Sequence, residues 1–221
     1  MRTPLFLAAL CAVPGCASAP PPPPVKPAAP ADYKLLEARN YIEYFKTADT
    51  RQWEHAKERL VRLGPSVIPV LFTAMQEYAG EVDFNCQDVL KRMGPDALPS
   101  VLDEIRKGDA GCSGGALTRR RRFRGGLIAV MGEAGAPGAA AGLAKVLSED
   151  AWPGARRKAA FYLGRLKDPM AVPALIEAMR KEPEEEVREE ARSALRRIAG
   201  RDLGPHADTW ELWSKSGPSS P

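Results

Sequence analysis

The sequence predicts an all-α fold, an α-solenoid of about five helical hairpins with a helical cap at each end. Two observations predict it: apolar residues recur at helical spacing, and the same pattern returns several times along the chain. A repeat this short cannot bury its apolar face alone, so such repeats stack into an array. The hydrophobic share of 44% and the charged share of 27% suit a folded chain rather than a disordered one.

The clearest repeat is a set of apolar positions at i, i+3, i+4 and i+7, which form one face of an α-helix. The first position is taken in turn by Ile68, Leu98, Ala140 and Val172. The intervals between them are 30, 42 and 32 residues. In three of the four segments the next residue is a proline, which is tolerated near a helix start because the first amides lack intrahelical partners. Each segment is therefore predicted to be the second helix of a hairpin.

Another helix is predicted before each of these segments. An apolar residue followed by glycine marks its end and predicts a turn, at Leu63-Gly64, Met93-Gly94, Met131-Gly132 and Leu163-Gly164. Two columns of residues, four positions apart, predict the buried face of the first helices. The columns are Leu60, Leu90, Ile128, Ala160 and Leu195, and Ala56, Cys86, Arg124, Arg156 and Ala191.

The two ends of the array need caps, because terminal repeats expose an apolar face. At the front, Leu35, Ala38, Ile42 and Phe45 have helical spacing and predict a capping helix. At the back, Trp210 and Trp213 follow a Gly-Pro turn. We expect this tryptophan pair to pack on the last repeat, and an aromatic ligand site is the alternative.

The stretch from Pro153 to Gly200 carries a family resemblance. Its Leu163-Gly164 pair, the turn at Asp168-Pro169, the helix start at Val172-Pro173 and the helix opening at Val187-Arg188 resemble the HEAT repeat, particularly the short subset first noted in phycobilisome lyases. The resemblance extends over roughly residues 50 to 200. It implies an α-solenoid and a scaffold that binds other proteins.

The N-terminus is predicted to be an export signal of the lipoprotein type. One arginine precedes a short apolar run, which is too short to cross a bilayer and fits a signal peptide at 1–15. Val13-Pro14-Gly15-Cys16 resembles the lipobox of bacterial lipoproteins, in which the cysteine is acylated, so Cys16 is the predicted lipidation site. The alternatives are a soluble secreted protein cut after Ala19 and an uncleaved cytosolic start. Alanine at position 17, directly after the cysteine, resembles the pattern of lipoproteins destined for the outer membrane. This resemblance implies a location on the periplasmic face of that membrane.

Residues 16–31 form the predicted tether, and 32–213 the solenoid, followed by a disordered tail at 214–221. The proline run in the tether favours the stiff polyproline II conformation, which spans roughly 45 Å at about 3.1 Å per residue. Such a segment would hold a domain away from a membrane. A spacer without a partner and a ligand for proline-binding domains are the two alternatives.

A run of five arginines opens the first helix of the third repeat: Arg119, Arg120, Arg121, Arg122 and Arg124. Two interpretations stay open. The run is a solvated helix face, balanced at long range by the six glutamates of 182–190, or it is a partner-binding patch for an anionic surface. The glycine-rich stretch 108–118 before it is predicted to be a long loop, either functional or disordered.

Cys86 and Cys112 are the cysteines that remain once Cys11 is removed and Cys16 is acylated. Two thiols in an oxidising compartment predict a disulfide between them. However, Cys86 shares its column with Ala56 and Ala191, which favours a small buried core residue. Both interpretations stay open.

No catalytic or phosphate-binding motif is found, and the chain has only two histidines. We therefore expect no enzyme, no metal and no cofactor. The net charge of +4 is too small to predict nucleic-acid binding by itself. The leading hypothesis is a membrane-anchored, extracytoplasmic scaffold for an unknown protein partner. The alternatives are an enzyme or chromophore-lyase-like factor and a purely structural envelope lipoprotein.

Overall fold

The computed structural model describes residues 30–47 and 49–216, and every regular element in these ranges is helical. Short 3-10 turns lead into α3, α5 and α9. The helices are α1 (Pro30–Tyr44), α2 (Thr50–Leu63), α3 (Ile68–Glu77), α4 (Glu81–Met93), α5 (Leu98–Arg106), α6 (Gly114–Ala134), α7 (Ala139–Glu149), α8 (Pro153–Leu166), α9 (Val172–Lys181), α10 (Glu185–Ala199) and α11 (Ala207–Lys215).

The helices stack as the repeats predicted. The first helices α2, α4, α6, α8 and α10 pack against one another in chain order. The second helices α3, α5, α7 and α9 lie on the other side of the core. At the front α1 packs on α2 and α3, and at the back α11 packs on α9. The prediction of an all-α solenoid with helical caps is confirmed.

One continuous apolar core runs along the array. The column of the first helices is wholly buried, with no exposed fraction at Leu60, Leu90, Ile128, Ala160 and Leu195. The second helices bury the predicted i, i+3, i+4 and i+7 face, which is complete in α3. In α5, Leu98 and Leu102 are only half-buried, so part of the predicted face of this helix stays accessible to solvent.

The glycines after the apolar residues play two different roles. Gly64 and Gly94 end α2 and α4 with φ of 78° and 58°, a conformation that favours glycine. The predicted turn is wrong for Gly132 and Gly164, which lie inside α6 and α8. They are points of close helix approach: a Cβ on Gly132 would lie 2.2 Å from Cγ of Tyr162. Each of these helices continues for two residues beyond the glycine before it ends.

The wide interval in the third repeat is occupied mainly by helix rather than loop. At 21 residues α6 is longer than any other helix described, and it starts within the stretch that the sequence predicted to be irregular. The carbonyl oxygen of Ser113 accepts hydrogen bonds from the amides of Ala116 and Leu117, which begins the helix. The connection between α5 and α6 is therefore confined to residues 107–113.

Both caps lie where the sequence placed them. Ala38, Ile42 and Phe45 are buried at the front. Trp210 is wholly buried, donates from its indole nitrogen to the carbonyl oxygen of Gly204 at 2.9 Å, and meets the ring of Trp213 edge to face. The predicted boundaries shift slightly, since α1 starts at Pro30 and α11 ends at Lys215. The signal peptide, Cys16 and nearly all of the tether lie outside the described residues.

Candidate protein-binding surface

The surface formed by α3, α5, α7 and α9, here called the second-helix face, contains three clefts. One of about 530 Å³ lies between α1 and α3, one of about 270 Å³ between α5 and α7, and one of about 490 Å³ between α7 and α9. Each cleft combines apolar walls with charged side chains at its edge. Concave sites of this composition are where protein surfaces usually take ligands or partner side chains.

The arginine run was predicted to be a solvated face or a binding patch, but the structure directs most of it inward. Arg120 is largely buried and donates from α6 to the carboxylate of Glu104 at 2.6 Å. Its guanidinium also donates to the carbonyl oxygens of Glu104 and Gly108, both at 2.9 Å. A cation at a helix C-terminus stabilises the exposed carbonyl groups and the helix dipole. Arg120 therefore caps the end of α5.

Arg122 makes a similar connection to a helix further away. Its guanidinium donates to the carbonyl oxygens of Met75 at 2.7 Å and Tyr78 at 2.9 Å, which belong to the C-terminal end of α3. The carboxylate of Asp83 lies 3.6 Å from its Nε atom. Arg122 thus connects the third repeat to both of the repeats before it.

Arg124 is the clearest correction to the sequence prediction, because its side chain is only 1% exposed. It donates to Asp109 at 2.5 Å and also to Asp150, so it joins the end of α5 to the end of α7. Asp109 also accepts from Arg121, at 2.8 Å. A buried charge is tolerated when it is paired in this way. Arg124 is therefore neither a solvated side chain nor available to a partner.

These pairs change the acidity of the carboxylates. Burial, the largest influence, raises the pKa of Asp109, but the hydrogen bonds from Arg121 and Arg124 outweigh it and leave the pKa below its ordinary value. Burial likewise raises the pKa of Glu104, and the hydrogen bonds from Lys107 and Arg120 again lower it overall. Both carboxylates are therefore held in the ionised form.

The next repeat carries the same arrangement. Arg156 occupies the position in its helix that Arg124 occupies in α6, and it donates to the two carboxylate oxygens of Glu182 at 2.8 and 2.6 Å. It also donates to the carbonyl oxygen of Asp150 at 2.8 Å. Glu182 thus pairs locally, and not at long range with the arginine run. In α6 and α8 an arginine thus replaces the small column residue and pairs with an acidic residue at the end of a second helix.

Two members of the run remain near solvent. Arg119 is exposed and forms no ion pair with any residue that the structure describes. Arg121 is 40% exposed, pairs with Asp109 and lies over the ring of Trp152. Arg122 is 34% exposed, but its guanidinium is bound to the end of α3. The predicted anion-binding patch is thereby reduced to Arg119 with a partial contribution from Arg121.

The cleft between α5 and α7, here called the α5–α7 cavity, is the feature that the sequence prediction missed. Its apolar walls are Leu102 and Ile105 from α5 and Val146 from α7, with Gly142 beside them. Arg124 and Asp150 form its inner wall, whereas Arg106, Lys145 and Glu149 are exposed at its mouth. The widened third interval was the available sequence signal, although it was interpreted as a loop.

Cys86 and Cys112 are both free thiols in the structure. Cys86 is wholly buried in α4, and burial raises the pKa of its thiol. Cys112 is partly exposed in the segment before α6. This placement favours Cys86 as a small core residue, as its column suggested.

The described residues contain neither a metal-binding cluster nor a membrane-spanning helix. Within 30–47 and 49–216, no group of three or more His, Cys, Asp or Glu could hold a metal ion. In the same ranges no helix is long and apolar enough to cross a membrane. The histidines His55 and His206 are both exposed; His55 lies in α2, whereas His206 immediately precedes the cap helix α11.

Comparison with known proteins agrees with the repeat pattern. No curated protein matches the chain. Residues 118–196, which extend from α6 into α10, match the family of HEAT repeats. HEAT repeats generally mediate protein–protein interaction. The stacked hairpins and this match together make the chain similar to HEAT-repeat proteins, as the sequence predicted.

Proposed function

We propose that the protein is a lipid-anchored scaffold of the cell envelope that binds another protein through its second-helix face. The observation that carries the binding role is the set of three clefts on this face, between α1 and α3, between α5 and α7, and between α7 and α9. HEAT repeats generally act in protein–protein interaction, which supports the same role. We propose no catalytic activity.

The anchoring part of the proposal rests on the N-terminal sequence. Acylation of Cys16 with several chains would give stable membrane attachment, whereas a single chain would be marginal. The proline-rich tether would then separate the solenoid from the bilayer by up to roughly 45 Å. A partner could reach the second-helix face at that distance without contacting lipid.

The anchor is tested by replacing the acylated residue. In Cys16→Ser, the protein should move from the membrane fraction to the soluble fraction, and mass spectrometry should find an acylated Cys16 only in the parent chain. Cys11→Ser is the matched control, because it lies in the segment that the signal peptidase removes. A Cys16→Ser chain that still partitions with membranes contradicts the anchor.

The binding face is tested by crosslinking in the native host. A photoreactive amino acid is placed at exposed positions of the second helices, Lys145 and Glu177, and at control positions on the outer side of the first helices, Arg62 and Lys158. We expect one partner to be captured from the second-helix positions and not from the controls. Equal capture from both sets would contradict binding through this face.

A further inference from the structure

We propose that the α5–α7 cavity receives one leucine- or phenylalanine-sized side chain from the partner protein. This inference rests on the proposed function, and it names the anchoring site within the second-helix face. The cavity holds about 270 Å³ and is bounded by Leu102, Ile105 and Val146.

The volume fits a side chain better than a larger ligand. A dry apolar cavity of about 150 Å³ is enough to hold a benzene ring. Sites for drug-sized molecules or cofactors begin at about 300 Å³. A cavity between these limits suits a single large apolar side chain that enters from solvent, which is how the anchoring residues of interfaces are seated.

The charges of the inner wall exclude an ion as the natural occupant. Arg124 is shared between Asp109 and Asp150, and Asp109 is also paired with Arg121. Asp109 and Asp150 are thus offset by Arg124 and by Arg121, which lies outside the cavity lining, so this end of the cavity has no net charge to attract a free anion or cation. Nε of Arg124 has no hydrogen-bond partner among the described residues, but the atom is buried and presents no donor to an inserted group.

The mouth carries charges that suit a peptide around the inserted side chain. Lys145 and Glu149 are exposed on α7, one helical turn apart, and neither forms an ion pair within the described residues. On the opposite wall Arg106 is paired with Asp103 at 2.9 Å. A segment with an apolar anchor and charged neighbours of both signs would complement this rim.

The same arrangement keeps the cavity open. Arg124 connects the end of α5 to the end of α7, while the helices themselves pack less closely than α7 and α9 do. Gly142 allows α7 to approach Leu102, since a Cβ there would come within 2.6 Å of a Leu102 methyl carbon. The ion pairs of Arg124 and the contact between Gly142 and Leu102 therefore position the walls of the cavity without a partner present.

The test uses the purified full chain with labelled methyl groups. N-acetyl-leucine amide and N-acetyl-phenylalanine amide should shift the resonances of Leu102, Ile105 and Val146 saturably, and N-acetyl-alanine amide should not. Ala151→Leu places a larger side chain at the mouth and should weaken both effects at least tenfold. Ala174→Leu, in the neighbouring α7–α9 cleft, is the matched control and should leave them unchanged.

The same two variants are then tested against the crosslinked partner. Tenfold weaker capture by Ala151→Leu, with Ala174→Leu unaffected, supports the anchor. Unchanged capture by Ala151→Leu overturns the anchor and leaves the proposed function intact. If no partner is captured from the second-helix face at all, the proposed function fails, and the methyl shifts alone decide whether the cavity accepts an apolar side chain.

Four further results would overturn the inference. The first is an equal response to the alanine derivative, and the second is methyl shifts that persist in Ala151→Leu. The third is a small apolar molecule that co-purifies with the parent chain and not with Ala151→Leu, which would assign the cavity to a free ligand. The fourth is a dimer that Ala151→Leu dissociates, which would assign the cavity to a second copy of the chain.

Discussion

Gly164 in α8 lies directly against Ala194 in α10. A Cβ atom on Gly164 would come within 2.6 Å of the Ala194 Cα atom and 2.8 Å of its Cβ atom. The obstacle is backbone rather than a flexible side chain, so two helices would have to separate to make room for any larger residue.

Gly164→Ala should therefore destabilise the protein, by about 1–3 kcal/mol, although alanine favours helix formation. The measurement is the free energy of unfolding from denaturant titration. Gly125→Ala in α6 is the control, because its added Cβ meets only the mobile end of Lys158, at 3.2 Å. It should be neutral or slightly stabilising. Equal effects of the two substitutions would mean that α8 and α10 are not in tight contact.

Arg124→Met should cost about 3–5 kcal/mol of unfolding free energy, because it leaves Asp109 and Asp150 without their shared cation in a largely buried place. Adding Asp150→Asn should recover part of the loss in a double-mutant cycle. Arg119→Met, at an exposed position of the same helix, should change stability little. If Arg119→Met lowered the unfolding free energy as much as Arg124→Met does, the distinction between a buried Arg124 and an exposed Arg119 would be contradicted.

Stability should fall in acid through Glu104 and Asp109. Each has a lower pKa in the folded chain than its ordinary value of 4.5 or 3.8, so ionisation favours the folded state. Their contribution is complete above those values and is lost as the pH falls through the lower, folded pKa values. The measurement is unfolding free energy between about pH 6 and about pH 3.

Glu104→Gln should make that acid-dependent decline shallower. Glu185→Gln is the control, since Glu185 is exposed and forms no ion pair in the described part of the chain. A decline that is equally steep in the parent chain and in Glu104→Gln would show that the carboxylate at the end of α5 does not contribute to it.

Thiol labelling should distinguish the two cysteines. Cys112 should react with a water-soluble reagent in the native protein, whereas Cys86 should react only after unfolding, because it is wholly buried and burial raises the pKa of its thiol. Mass mapping of labelled peptides identifies each site. Failure of both to label in unfolded, unreduced protein would instead reveal a disulfide between them.

The stacking of the helices could be predicted because the buried face of each helix is formed by residues that are close in sequence. Ile68, Leu71, Phe72 and Met75 define the face of α3 within two turns, and all four are buried. The repeat of such faces predicts that they cover one another. The position of Gly164 could not be predicted in this way, because a glycine that ends a helix and one that admits a neighbouring helix look alike in sequence.

The candidate binding surface could not be predicted, because its charged side chains pair with residues that are distant in the sequence. Arg120 pairs 16 residues away, Arg124 pairs with Asp150 26 residues away, and Arg122 reaches Met75 across 47 residues. In sequence these arginines form one block of positive charge. In the fold their side chains reach three different helix ends, those of α3, α5 and α7. One of these arginines, Arg124, also lines the α5–α7 cavity.

The arginines of α6 also bear on how the array comes apart. In an ideal repeat protein each unit contacts only its neighbours, so the ends melt first and the stability is a sum over units. Arg122 breaks this rule by connecting α6 to α3, two repeats away. We therefore expect the first three repeats to unfold together as one cooperative block, which shortened fragments ending before α6 would not reproduce.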